Sequence, residues 1–129
     1  MEGPIRLFTA IALVSLPTVM YGGYALMGVL REKKLTEHQR GMFRAGHAHA
    51  GVLLVLALVA LQILGQTGLS VTARWIVCFL LLFGVLAQSG GFFLHLAPGK
   101  GELGGRVTGA GAVLLGAAIL TTAYGVAFP

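Results

Sequence analysis

His47, His95 and Tyr24 are the side chains in this sequence best suited to proton transfer. An imidazole titrates near neutrality and a phenol can donate or accept a hydrogen bond, so such a set could do general acid–base work. Arg44, Gln88, Gln62, His49 and Arg40 are the candidate ligand-binding groups, because arginine and carboxamide side chains orient small polar molecules. The densest part is Phe43-Arg44-Ala45-Gly46-His47-Ala48-His49-Ala50-Gly51, at the start of a long apolar run.

Other chemistry fits the same residues. Two imidazoles from facing helices could be axial haem ligands, with Arg40 or Arg44 pairing the propionates. The His-Ala-His spacing of 47–49 is not diagnostic of a metal on a helix, and the chain contains no aspartate to add a ligand. No metal site is assigned, and the cofactor is unknown. A third reading is structural: a histidine near a helix end is half-solvated and can simply bond a backbone carbonyl. The acids Glu2, Glu32, Glu37 and Glu102 all fall outside the apolar runs, which argues against a cation antiporter. No Gly-rich phosphate loop is present.

The elements that must position these groups are membrane helices. The chain has 129 residues, 57% hydrophobic and 10% charged, where a soluble domain is nearer a quarter charged. Four apolar runs, about 5–30, 45–64, 75–96 and 107–128, are each close to the roughly 20 residues that cross a bilayer as helix. They are continuous, without the alternation of a membrane barrel. The expected fold is therefore all-α, a single-domain integral membrane four-helix bundle over 1–129. The segment leading into the first run carries Glu2 as well as Arg6, and the run is longer than a signal-peptide core, so it reads as a true first span. The lone Cys78 reads as packing within the third span.

The net charge of +5 follows membrane topology rather than nucleic-acid binding. Arg31, Lys33, Lys34, Arg40 and Arg44 follow the first span, and Lys100 and Arg106 follow the third. Arg6 and Arg74 stand alone on the other side. The positive-inside rule then puts both connections in the cytoplasm and both termini outside.

Helical spacing assigns faces. Thr36-Glu37-His38-Gln39 fits a capping box, so the second helix starts near Thr36. Arg40, Arg44, His47 and Gly51 then share a face, with Gln62 about 60° away. His49 lies nearly opposite, with Leu53, Leu56 and Ala60, on a face suited to lipid or apolar packing. Pro17, Tyr21, Tyr24 and Gly28 share one face of the first helix. Gly84, Gln88, Gly91 and His95 form a polar and small stripe that must turn into protein. In the fourth span Gly105 and Gly109, and the row Thr108, Ala112 and Gly116, offer close packing within the bundle or between subunits of a homo-oligomer.

The stretch Phe43 to Gly51 resembles a segment of small four-span bacterial membrane proteins of unassigned function, and more distantly hydroxylaminobenzene mutase. In that family a span opens with a histidine followed by glycine and leucines, as His47 to Gly51 does. The Gln88-Ser89-Gly90-Gly91 run matches in character. The resemblance implies a bacterial cytoplasmic membrane enzyme, an isomerase or mutase that rearranges a small apolar or aromatic compound without an evident cofactor. The expectation is a small-molecule site at the cytoplasmic end of spans two and three. A haem- or metal-binding redox protein is the alternative, and a non-catalytic accessory or scaffold subunit of a membrane complex is a further one.

Overall fold

The computed structural model describes residues 1–31 and 35–129 and is built from α1 (Gly3–Arg31), α2 (Glu37–Leu64), α3 (Val71–Leu94) and α4 (Gly101–Ala127). Each helix is long and apolar enough to cross a membrane, and no strand occurs among the described residues. The chain is thus a multi-pass, all-α four-helix bundle, with both termini at one end. Lys33 and Lys34, counted in the charge argument, lie outside the described residues.

Helix limits follow local capping. Thr36 caps α2: its Oγ1 accepts from the Gln39 amide at 3.2 Å, and Gln39 Oε1 accepts from the Thr36 amide at 3.0 Å. This is the reciprocal capping box expected from the sequence. Ser70 Oγ caps α3 through the Ala73 amide at 3.2 Å, so that helix starts before the apolar run does. Gly99 takes φ 71°, a left-handed turn that glycine adopts freely, and α4 starts two residues later. The helix α1 is continuous through Pro17.

The four helices do not pack equally. The α3–α4 contact is the most extensive, α2 lies against α3, and α1 lies mainly against α2. Among the described residues α1 and α4 do not meet. Glycine sets the α3–α4 distance. A Cβ on Gly91 would fall 2.6 Å from the Gly104 carbonyl oxygen and 2.7 Å from the Thr108 nitrogen. One on Gly111 would fall 2.7 Å from Gln88 Cα, and one on Gly84 2.7 Å from Leu115 Cγ. In hydrocarbon, where apolar burial no longer drives helix association, such backbone approach is what holds helices together.

The α3 stripe therefore does turn into protein. Its partner row is Gly104, Thr108, Gly111 and Leu115. Of the rows expected on α4, only Thr108 takes part. Gly105, Gly109 and Gly116 have open space beside them, and Ala112 is exposed. The reason is angular: at ~100° per residue, Gly105 and Gly109 point away from the Gly104–Gly111 row.

The core lies toward the end that carries the termini. Leu61, Leu64, Val77, Cys78 and Ala118 are almost wholly buried, with Ile5 and Phe8 of α1 against them. Phe8 meets Trp75 and Phe79 edge-on, at 6.1 and 5.1 Å between ring centroids. Toward the basic end α1 buries much less, Leu26 being its one buried side chain beyond Ala12.

Candidate functional site

The segment around Gly46 is a two-sided contact. Gly46 and His49 face α3. A Cβ on Gly46 would fall 2.8 Å from the Phe93 ring, and the His49 ring lies 4.5 Å from that of Phe92. His49 Nδ1 bonds the Ala45 carbonyl oxygen at 2.8 Å. His47 and Gly51 face α1. The His47 ring rests on Gly22 and Gly23: a Cβ on Gly23 would fall 2.9 Å from His47 Nε2, and one on Gly22 3.8 Å from Nδ1. Val19 closes on Gly51. Unlike His49, His47 makes no hydrogen bond or ion pair among the described residues.

Of the two environments expected for the His49 face, lipid or apolar packing, the structure gives packing at His49 itself. Leu53 and Ala60 of that face are in fact buried, and the His49 ring packs between α2 and α3. Apolar periodicity gives the direction of a side chain but not which neighbour stands there.

The other candidates are spread over separate surfaces. Tyr24 is 70% exposed, beside Tyr21 at 6.4 Å, on the outward face of α1. That face, with Pro17 and Gly28, looks away from the bundle because α1 turns Gly22 and Gly23 inward. Arg44 is exposed and Arg40 half-buried. Gln62 lies at the opposite end of α2, where its Nε2 reaches Thr9 Oγ1 at 3.4 Å. Gln88 is packed against α4, its carbonyl accepting from Thr108 Oγ1 at 3.4 Å. His95 ends α3 in a glycine collar, 3.4 Å from a Cβ placed on Gly101 and 2.9 Å from one on Gly104. It meets His38, ring centroids 5.8 Å apart and nearly perpendicular. His47 and His95 thus face different helices, and Tyr24 faces neither.

Two features were missed in the sequence. His38 was read only as part of a capping box, although antiparallel helices put the start of α2 beside the end of α3. The adjacent pair Gly22-Gly23 was also passed over. Two consecutive glycines in a membrane helix signal a close approach, here by His47.

The third feature is a cavity. A slot of about 210 Å³ runs between α1, α2 and α3, lined by Ile11 and Val19 of α1, Ala50 and Leu61 of α2, and Leu82 and Ser89 of α3, among others. Small residues, Ala12, Ala50 and Ala57, line the gap, and α1 lies mainly against α2 rather than α3. From Ala50 to Leu61 it extends roughly 16 Å at 1.5 Å per residue. Its serines are satisfied within their own helices: Ser15 Oγ donates to the Ile11 carbonyl at 2.8 Å and Ser89 Oγ to the Val85 carbonyl at 2.6 Å. The slot is therefore mostly apolar, the Thr18 hydroxyl being the lining side-chain group without a bond among the described residues. At its upper end His47 stands one turn from Ala50, while Gly23 stands one turn from Val19.

Among the described residues, no three side chains of histidine, cysteine, aspartate or glutamate are grouped to hold a metal ion. No protein-family model, curated protein or solved structure matches this chain.

Proposed function

We propose that this protein binds a slim apolar molecule carrying one polar group, with the apolar part in the slot and the polar group at His47. The observation that carries this reading is the slot itself, mostly apolar and ending one helical turn from His47, an imidazole without a hydrogen-bond partner among the described residues. Apolar cavities of about 150 Å³ take a benzene-sized guest, so about 210 Å³ accommodates one ring or a short alkyl chain. Its guest would enter from the bilayer, since Ile11 and Leu86 are lining residues and also exposed to the lipid side. His47 is the group placed to exchange a proton with the bound head. A cofactor-free isomerisation there is the reaction class in keeping with the resemblance of the His47–Gly51 stretch. The bacterial cytoplasmic membrane is the proposed location, with the basic end inside. Self-association would use the open α4 face of Gly105, Gly109, Ala112 and Gly116.

A guest that binds only the folded state raises its melting temperature. Octanol is therefore expected to stabilise the detergent-solubilised protein in a saturable way. The Ala57→Phe variant, which fills the slot, should show no such shift in the same micelles. His47→Ala should reduce the response to octanol to that given by octane. Equal shifts in wild type and Ala57→Phe would show that octanol acts on the micelle, and the reading would fail.

The haem or metal reading would rest on His95 with His38 in place of His47. His38 and His95 are the imidazoles of two helices that meet. A Soret band in the purified protein, lost in both His38→Ala and His95→Ala, would favour it.

A further inference from the structure

At the end of the bundle that carries the termini, a second cavity of about 500 Å³ lies between the starts of α1 and α3 and the end of α2. It differs in kind from the slot. Arg74, Glu2, Gln62 and Gln66 line it, with Met1 and Ile5 as apolar wall. Arg74 is turned inward, its Nη2 donating to the Thr67 carbonyl in the α2–α3 turn. Its Nε is buried without a partner, and among the described residues Arg74 makes no other bond. The guanidinium has five N–H groups, so most of its donor capacity remains unused. It also sits in the first turn of α3, where the helix dipole adds positive potential. Together these features favour an oxyanion.

The rest of the lining offers acceptors. Gln62 Nε2 donates to Thr9 and Gln66 Nε2 to the Gln62 carbonyl. Both amide oxygens are therefore left facing no donor among the described residues. With the Glu2 carboxylate they make three acceptor groups in the same lining as the Arg74 guanidinium. A primary ammonium has three donors. We propose that this pocket binds a zwitterion joining a primary ammonium to an oxyanion, with the oxyanion on Arg74 and the ammonium on Glu2, Gln62 and Gln66. Phosphoethanolamine has this chemistry, free or as a lipid headgroup. Arg74 of the lining adjoins Trp75 in sequence, and tryptophan marks the depth of the membrane interface where headgroups lie. A choline headgroup lacks N–H donors and leaves the three acceptors unpaired.

Trp75 is the single tryptophan of the chain and adjoins Arg74, so its emission reports on the pocket. Free phosphoethanolamine titrated into the full-length protein in detergent should change that emission saturably. Phosphocholine should bind at least tenfold more weakly. Arg74→Gln should abolish the change. Glu2→Gln, at an exposed terminal residue, should keep the fold and the octanol response of the slot but lose the preference for ethanolamine over choline. Arg6→Gln, on an exposed side chain, should leave both intact. In nanodiscs of mixed lipids, native mass spectrometry tells the two sources apart. Retained phosphatidylethanolamine marks a lipid site, and binding of the free compound alone marks a soluble zwitterion, either outcome supporting the assigned chemistry. Equal affinity for the two headgroups, or titrations unchanged by Arg74→Gln and Glu2→Gln, would overturn it.

Discussion

Gly111→Ala is expected to destabilise the protein by about 3 kcal/mol, at the top of the usual range for overpacking. The added methyl would meet Gln88 at its backbone nitrogen, at Cα (2.7 Å) and at Cβ (2.8 Å). Backbone cannot rotate away as a side-chain tip can, so α3 and α4 must separate. Separation would weaken the Thr108–Gln88 contact and the close crossing at Gly91 and Gly104 together. Gly109→Ala, two residues earlier on the same helix, meets open space. In the monomer it should be neutral, or stabilising by up to about 1 kcal/mol through helix propensity. Melting curves of the two variants in one detergent provide the comparison. Similar losses in both would mean that α4 does not present its Gly104–Gly111 row to α3.

The second large effect separates the two neighbouring histidines. His49→Ala should cost about 2 kcal/mol, the lower part of the range for deleting a large packed side chain. It removes the ring packed against Phe92 and the bond to the Ala45 carbonyl. His49→Phe, which keeps a ring against Phe92, should recover most of that loss. His47→Ala removes a ring that rests on glycines and has no bonded partner among the described residues, so its stability cost should stay below about 1 kcal/mol. Its effect should appear in binding instead. A melting temperature lower for His47→Ala than for His49→Ala would reverse the structural roles assigned here.

Much of the fold was legible because bilayers restrict the possibilities. Uninterrupted apolar runs gave the four helices, and Thr36 with Gln39 gave the start of α2 through chemistry that needs no neighbours. The Gly84–Gln88–Gly91 stripe was legible too, since a polar and small face has no stable place in lipid. The candidate site was less so. Every residue proposed for it is polar or titratable, and polarity alone does not say which neighbour a helix face meets. Tyr24 faces outward, Gln88 is taken up by α4, and His95 pairs with His38. The slot was the hardest feature to read. Alanines and leucines line it, and in sequence they look like any other part of a span. Only the way α1, α2 and α3 come together, a relation between distant segments, makes it a cavity.

The most direct measurement is photolabelling by an octanol analogue with a diazirine near the end of its chain, in nanodiscs, with the modified residues mapped by mass spectrometry. The account predicts labelling concentrated on slot residues such as Leu61, Cys78 and Leu82, competed by excess octanol and lost in Ala57→Phe. Labelling spread over lipid-facing residues such as Val14, Val52 and Val113, and unchanged by Ala57→Phe, would contradict it.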